Sequence, residues 1–195
     1  KIRPLKDILI QKTLIIAILA AAVGYSLMSF IMTATPLQIV NICKLGNSAS
    51  STVIQWHIIA MFAPSFFTGS IISRFGNRKV MLVGIILYAF SVFFGILGDT
   101  VLNFWIALFL CGLGWNFLYV GGSDIIAKSA LPEERAKVQG VTDFIIFVFV
   151  AMGSLLAGYL HSNLGWEIML FYTIIPISLI FIGAIIIKPQ NLKLN

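Results

Sequence analysis

Six long apolar runs, separated by short polar connections, make up almost all of this 195-residue chain. A membrane-spanning helix takes about 20 consecutive apolar residues, so six spans require roughly 120 residues plus connections. The runs therefore predict an all-α membrane protein with six transmembrane helices in one domain, 13–187, between a short leading segment, 1–12, and a tail, 188–195. The predicted helices cover approximately 13–41, 50–73, 80–97, 101–127, 133–160 and 166–187.

The composition excludes a soluble fold. Hydrophobic residues make up 59% of the chain, charged residues make up 10%, and the mean hydropathy is +1.02. A soluble domain carries about a quarter charged residues, because it needs a polar surface. The net charge of +6 comes from short basic clusters between the apolar runs. We therefore expect a lipid bilayer as the surrounding medium and no nucleic-acid partner.

The basic residues also predict the orientation. Of the 13 Lys and Arg residues, only Lys44 lies on one side of the six predicted spans. Cytoplasmic loops of membrane proteins are enriched in Lys and Arg, so the other side is predicted to be cytoplasmic and to hold both termini. An odd number of spans would scramble this alternation. The residues on the rich side are Lys1, Arg3, Lys6, Lys12, Arg74, Arg78, Lys79, Lys128, Arg135, Lys137, Lys188 and Lys193.

The six predicted helices differ in polarity. The third and sixth are apolar nearly all round and are expected to face lipid, whereas the other four carry polar residues that a bilayer tolerates only against protein or water. Those four also contain small residues that allow close helix packing. Every third helix facing lipid indicates two units of three helices, which is the organisation that inverted repeats produce. The polar residues include Tyr25, Ser29, Gln55, His57, Trp115, Asn116, Tyr119 and Asp143.

The most specific motif joins the second and third helices: Gly69-Ser-Ile-Ile-Ser73-Arg74-Phe-Gly76-Asn77-Arg78-Lys79. It resembles the Gly-x-x-x-Asp-Arg-x-Gly-Arg-Arg/Lys signature of the major facilitator superfamily. Gly76 permits a tight turn, and the basic residues hold that turn at the membrane surface. Ser73 stands where the signature has its acidic residue. Such a degenerate copy is typical of the second half of these transporters.

Two further segments resemble second halves of bacterial members: 132–140, Pro-Glu-Glu-Arg-Ala-Lys-Val-Gln-Gly, and 3–6, Arg-Pro-Leu-Lys. The resemblance covers essentially the whole chain and implies a C-terminal six-helix half, in which 1–12 end the central cytoplasmic loop. It also implies secondary active transport of a small organic solute by alternating access, coupled to an ion, in a bacterial inner membrane. The implied partner is an N-terminal six-helix half, which belongs to the same polypeptide, a separate chain or a second copy in a homodimer.

In that family the first and fourth helices of each half line the substrate cavity. The candidate cavity residues are therefore taken from these two helices. They carry no charge, which favours a neutral or amphipathic solute. Their aromatic rings and one amide suit an organic molecule. Helix packing or an interfacial aromatic belt would equally explain any one of them. These residues are Tyr25, Ser29, Phe30, Trp115, Asn116 and Tyr119.

Charged residues at the basic loops suggest, by the same resemblance, a cytoplasmic gate. Asp143 shares one face of the fifth helix with Arg135 and Gln139, and Asp124 precedes Lys128 by one turn. A fixed salt-bridge network and proton coupling through Asp143 are the alternatives. His57 would either carry a proton or simply hydrogen-bond a neighbouring helix. The full set of gating or coupling candidates is Arg74, Arg78, Lys79, Asp124, Lys128, Arg135, Asp143 and His57.

Other classes of function fit less well. An intramembrane enzyme needs a nucleophile and base, paired aspartates or metal ligands on facing helices, and the chain has only His57 and His161 as histidines. Cys43 and Cys111 have no metal-ligand spacing, and we expect neither a metal nor a cofactor. Mitochondrial carriers repeat a Pro-x-Asp/Glu-x-x-Lys/Arg motif, whereas in this chain only 132–137 fits that pattern and it is not repeated. A non-transporting membrane subunit or scaffold derived from a transporter half stays open.

Overall fold

The computed structural model describes residues 3–186, and that part of the chain is helical with no strand. Among these residues, five helices are long and apolar enough to cross a membrane, and a bent helix pair passes the same test when it is counted as one span, which gives six. Residue 187, the predicted tail and Lys1 lie outside the described residues. The elements are α1 (Leu5–Leu9), α2 (Lys12–Pro36) with a π-helical continuation (Leu37–Ile42), α3 (Asn47–Phe62), α4 (Ser65–Phe75), α5 (Asn77–Leu97), α6 (Val101–Lys128), α7 (Arg135–Leu164), α8 (Trp166–Tyr172) and α9 (Ile174–Ile186).

Two of the predicted helices are interrupted. The second span bends by 43° between α3 and α4, at Pro64, because proline has no backbone N–H and its ring clashes with the preceding turn. The sixth span breaks at Thr173, three residues before Pro176. Thr173 donates its hydroxyl hydrogen to the Leu170 carbonyl at 2.6 Å, which satisfies one backbone oxygen near the break. The short helix α1 was not predicted.

Helices α2 and α6 lie at the centre of the bundle. α6 packs against α2, α3 and α5, while α2 also packs against α7 and α9. Small residues make this possible: a Cβ atom on Gly114 would lie 2.9 Å from the Gly84 carbonyl, and one on Gly122 would lie 3.0 Å from the Ala17 carbonyl. Only hydrogen fits at such distances, so the glycines of α6 set the approach of α5 and α2.

The two ends of the bundle differ in charge. One end, named here the basic end, holds the α4–α5 and α6–α7 connections with Arg74, Lys79 and Lys128. The opposite end holds the π-helical segment, the Gly98–Asp99 turn and the connection between α7 and α8. The prediction that the basic end is cytoplasmic stays a prediction.

Candidate substrate site

An aromatic cluster lies where α2, α3, α6 and α7 meet. Trp115 and Tyr119 of α6 stack with their planes 8° apart and their centroids 5.1 Å apart. The Tyr25 ring of α2 meets both edge-on, at 5.2 Å and 5.3 Å. The Phe62 ring of α3 lies 5.7 Å from Trp115, and the Phe147 ring of α7 lies 5.8 Å from Tyr25. Such pairs contribute about 0.5–1.5 kcal/mol each beyond area burial, so the five rings form a preorganised surface.

The aromatic cluster is partly open. Phe62 and Phe147 expose 56% and 53% of their surfaces, Tyr25 and Tyr119 are half-buried, and Trp115 is buried. The indole N–H of Trp115 has no hydrogen-bond partner among residues 3–186. An unsatisfied buried donor costs about 1–3 kcal/mol. The cluster therefore combines stacking faces with one N–H donor for which the described protein offers no acceptor.

Three of the six predicted cavity residues, Tyr25, Trp115 and Tyr119, belong to this cluster. Ser29 and Phe30 lie outside it. The Ser29 hydroxyl hydrogen-bonds the Ser154 hydroxyl at 2.5 Å and so links α2 to α7. Phe30 is buried and lines an apolar cleft elsewhere on α2.

Asn116 also lies outside the cluster, because its neighbour Trp115 points about 100° away around the helix. Its amide nitrogen donates to the Met61 carbonyl at 2.7 Å and to the Ser65 hydroxyl at 2.6 Å. The Thr68 hydroxyl donates to its Oδ1 at 2.6 Å. These partners fill both amide hydrogens and one carbonyl lone pair. Asn116 therefore holds the bend between α3 and α4 in place.

Phe62 and Phe147 were missed by the sequence reasoning. They lie on the second and fifth spans, and the family resemblance assigned the cavity to the first and fourth. The available signal was an aromatic residue near the middle of a span that also carries polar or small residues.

His57 is fully buried between α3 and α6. Its Nδ1–H donates to the Leu108 carbonyl at 2.7 Å, and Nε2 has no partner among residues 3–186. A Cβ atom on Gly112 would lie 2.6 Å from the His57 carbonyl oxygen, so the two helices are in close contact here. This geometry matches the helix-bonding alternative for His57.

Asp143 is half-buried on α7 and accepts a hydrogen bond from the Gln139 amide at 2.7 Å. Arg135, one turn before Gln139, is exposed and makes no salt bridge within the described range. The predicted face therefore contains a carboxylate–amide pair, and the arginine does not neutralise Asp143.

Asp124 joins α5 to α6 at the basic end. It accepts hydrogen bonds from the Asn77 amide at 2.8 Å and from the Lys128 ammonium at 2.5 Å. Asn77 also donates to the Gly121 carbonyl at 2.9 Å. The pairing of Asp124 with Lys128 follows the spacing seen in the sequence.

The remaining basic candidates surround the α4–α5 turn. Arg74 is exposed and its guanidinium lies 5.3 Å from the centroid of the Phe75 ring. Arg78 is half-buried and Lys79 is exposed. Gly76 adopts φ = +83°, which explains why the motif has glycine at the turn.

A contact between Arg3 and Glu134 was not foreseen. The Arg3 guanidinium donates to Glu134 Oε2 at 2.6 Å, its backbone N–H donates to Oε1 at 2.9 Å, and the guanidinium also reaches the Ser129 carbonyl at 3.2 Å. The Leu131 N–H donates to Oε2 at 3.0 Å. Hydrogen bonding from Arg3 is the main cause that lowers the pKa of Glu134 to about 2.

A polar network occupies the opposite end. His161 Nε2–H donates to the Gln38 Oε1 atom at 3.0 Å, and the Gln38 nitrogen lies 3.5 Å from both Asp99 Oδ1 and Cys43 Sγ. Burial and then the Asp99 carboxylate raise the pKa of the Cys43 thiol. Within residues 3–186, no three His, Cys, Asp or Glu side chains lie close enough to share a metal ion.

Comparisons with known proteins agree with this architecture. The model of the Major Facilitator Superfamily matches residues 11–193. The riboflavin transporter RfnT of Brucella anthropi is 40% identical over 192 residues, which are 97% of this chain and 48% of that protein. The uncharacterised MFS-type transporter YddS of Bacillus subtilis is 32% identical over 86% of this chain and 37% of its own length. The multidrug resistance protein MdtL of a Shewanella species is 23% identical over 77% of this chain and 39% of its own. The chain thus spans about half the length, or less, of these relatives.

Proposed function

The chain belongs to the major facilitator superfamily, and from this premise we propose that it is the second six-helix half of a secondary transporter. The family and the named relatives are transporters, not enzymes. Ser73 in place of the acidic residue and alignment to about half of each relative support the assignment to one half. The proposed location is a bacterial inner membrane, with the basic end in the cytoplasm.

The contacts support two inverted three-helix units. If the first, second and third spans correspond to the fourth, fifth and sixth, then the α3–α6 contact corresponds to α7–α2, and α5–α6 corresponds to α9–α2. Both members of each pair are present. Such an exchange is what a pseudo-two-fold axis between the units would give.

The proposed solute is a neutral planar aromatic molecule with hydrogen-bond acceptors, and riboflavin is the first candidate. The observation that carries this proposal is the stacked Trp115–Tyr119 pair with the Tyr25 edge against both rings. The unpartnered indole N–H would suit a ring carbonyl of the solute. The likeness to a riboflavin transporter supports the same class of solute.

Uptake of radiolabelled riboflavin into proteoliposomes containing the complete protein tests this proposal. Tyr119→Leu should raise KM about tenfold, because it removes one stacking face. Phe90→Leu, on the exposed face of α5, is the control and should leave KM unchanged. Failure of unlabelled riboflavin to compete for uptake would exclude this solute, and absence of any solute flux would favour a non-transporting subunit.

We further propose that Asp143 takes part in proton coupling. It is a half-buried carboxylate within α7, and in the described range its one hydrogen bond comes from an amide and it forms no salt bridge. Asp143→Asn should abolish the dependence of uptake on a pH gradient, while Asp7→Asn on the exposed surface of α1 should not. Unchanged gradient dependence in Asp143→Asn would remove Asp143 from the mechanism.

The proposed partner is a first six-helix half, in the same polypeptide or as a separate or identical chain. α3, α4 and α7 support this, since they expose large apolar side chains in rows that this half leaves uncovered. These side chains are Phe62, Phe66, Phe67, Phe144, Val148, Leu155 and Tyr159. Disulfide trapping between cysteines placed in this set and in the partner would test the arrangement.

A further inference from the structure

Two cavities lie along α7 and the sixth span. The inner one is an apolar cleft of about 350 Å³, and the outer one is a polar cavity of about 280 Å³ at the opposite end of the bundle. The cleft is lined by Val23 and Phe30 of α2, Phe149 and Leu156 of α7, and Tyr172 and Pro176. The polar cavity is lined by Gln38, Asp99, His161, Leu164, Glu167 and Ile168.

The two cavities open on the same faces of their helices. On α7, Leu156 and Leu160 line the cleft and Leu164 lines the polar cavity. On the sixth span, Tyr172 and Pro176 line the cleft and Ile168, one turn earlier, lines the polar cavity. Residues three or four apart share one helix face. The cavities therefore lie in line along the same helix faces, one beside the middle of α7 and one at its end, and together they are named here the seam.

The inner cleft offers few hydrogen bonds to a ligand. The Ser26 hydroxyl donates to the Phe149 carbonyl at 2.8 Å, and the Thr173 hydroxyl donates to the Leu170 carbonyl. The rest of the cleft lining is apolar or aromatic, apart from the partly exposed Tyr172 hydroxyl at its edge. A hydrocarbon chain satisfies such a lining, whereas a polar solute would lose its hydrogen bonds to water there.

The outer cavity is negatively charged. Asp99 and Glu167 are exposed, and neither forms a salt bridge within residues 3–186. The donor nitrogen of His161 is directed at Gln38, and the Gln38 amide is directed at Asp99. Among residues 3–186, Lys44 is the only Lys or Arg at this end. This charge arrangement attracts an ammonium group and repels an anionic group.

We propose that this seam binds one phospholipid whose headgroup carries an ammonium group. One acyl chain fills the cleft, and the ammonium lies beside Asp99 and Glu167. The seam uses a different face of α7 from the exposed row that includes Phe144 and Leu155, so the partner half and the lipid occupy separate surfaces. The proposal is independent of which solute is transported.

Native mass spectrometry of the complete, delipidated protein tests this site. The protein is offered equal amounts of phosphatidylethanolamine and phosphatidylglycerol with identical acyl chains. The parent should retain the ethanolamine lipid about five- to tenfold better. The double variant Asp99→Asn, Glu167→Gln should bring this ratio to about one while both lipids still bind, because the cleft is intact.

A second pair of variants tests the acyl-chain site. Leu156→Trp fills the cleft and should remove retention of both lipids, whereas Leu179→Trp, at an exposed position of α9 outside the cleft, should not. Equal retention of the two lipids by the parent would overturn the proposal. Equal lipid retention by the two tryptophan variants would overturn it as well. Displacement of the lipid by riboflavin would assign the cleft to the solute instead. The charge variant adds no volume, so it stays informative if Leu156→Trp does not fold.

Discussion

Helices α6 and α7 follow each other in the chain and have 28 and 30 residues, yet they are packed very differently. Half of the most apolar stretch of α6 is buried within this bundle, compared with 22% of that of α7. In α6, Gly112 and Gly114 meet neighbouring backbone. In α7, Gly153 also meets backbone, but Gly140 and Gly158 have no atom within 4 Å of an added Cβ. The apolarity of a helix thus predicts that it spans the membrane, but it does not predict how much of that helix is buried by its neighbours. α6 holds this half together, and α7 leaves most of its surface for lipid or for the other half.

Leucine truncation should show this contrast most strongly. Leu108 of α6 is fully buried, so Leu108→Ala should lower the free energy of unfolding by about 3 kcal/mol through lost contacts and a residual cavity. Leu155 of α7 is 78% exposed in this half, and in the complete protein the proposed partner half alone would cover it, so Leu155→Ala should cost about 1 kcal/mol, clearly less than Leu108→Ala. Thermal unfolding of the purified complete protein measures both. An equal loss would mean that the other half covers the α7 row as tightly as α6 is covered here.

Asparagine replacement probes the polar contacts of the same two helices. Asn116→Leu should cost about 2–3 kcal/mol, because it removes three hydrogen bonds, those with the Met61 carbonyl and with the Ser65 and Thr68 hydroxyls. Asn163→Leu, at the exposed end of α7, removes two solvent-exposed bonds, to the Tyr159 carbonyl and the Ser162 hydroxyl, and should cost less than about 0.5 kcal/mol.

Transport assays separate the two roles considered for Asn116. A structural role predicts that Asn116→Leu lowers the amount of folded protein while the remaining protein keeps its KM for the solute. A raised KM with unchanged thermal stability would instead support a role for Asn116 in binding the solute.

Glycine substitution gives the next contrast. A Cβ atom on Gly112 would press on the His57 carbonyl, and Gly112→Ala should therefore cost about 1–3 kcal/mol by forcing α3 away from α6. Gly158→Ala meets open space and should stabilise α7 by up to about 1 kcal/mol through its helix propensity. The melting temperatures should move in opposite directions, by roughly 2–4 °C per kcal/mol for a domain of this size. A stabilising Gly112→Ala would contradict the close α3–α6 packing.

The sequence predicts what depends on local pattern. Apolar runs identify the spans, and the spacing of Asp124 and Lys128 identifies their pairing. The sequence does not predict which way the Asn116 side chain points, because that depends on how far α6 is rotated relative to its neighbours. Pro64 signals a bend within the second span, but the bend angle depends on what packs beside it. The contact of Arg3 with Glu134 joins residues 131 positions apart, and no local pattern encodes it.

That contact lies at the turn between the two helices compared above, and it gives the smallest expected effect. The Arg3 side chain is 40% exposed, so solvent screens the ion pair. Because hydrogen bonds from Arg3 lower the pKa of Glu134 from 4.5 to about 2, the pair should hold the leading segment at neutral pH. Its contribution is complete above pH 4.5 and is lost as the pH falls through about 2.

A fluorophore at Asp7→Cys, with Cys43→Ser as background, would report this docking through its anisotropy. Anisotropy should fall between pH 4.5 and 2 as Glu134 takes up a proton and α1 leaves the α6–α7 turn. Glu134→Gln should give the low value already at pH 7, since an amide cannot form the ion pair. Glu133→Gln also removes one negative charge, at the neighbouring exposed position, and should keep the parent's dependence of anisotropy on pH. If both variants behaved alike, general charge at the basic end would hold the segment, and the turn between α6 and α7 would not be a specific docking point for it.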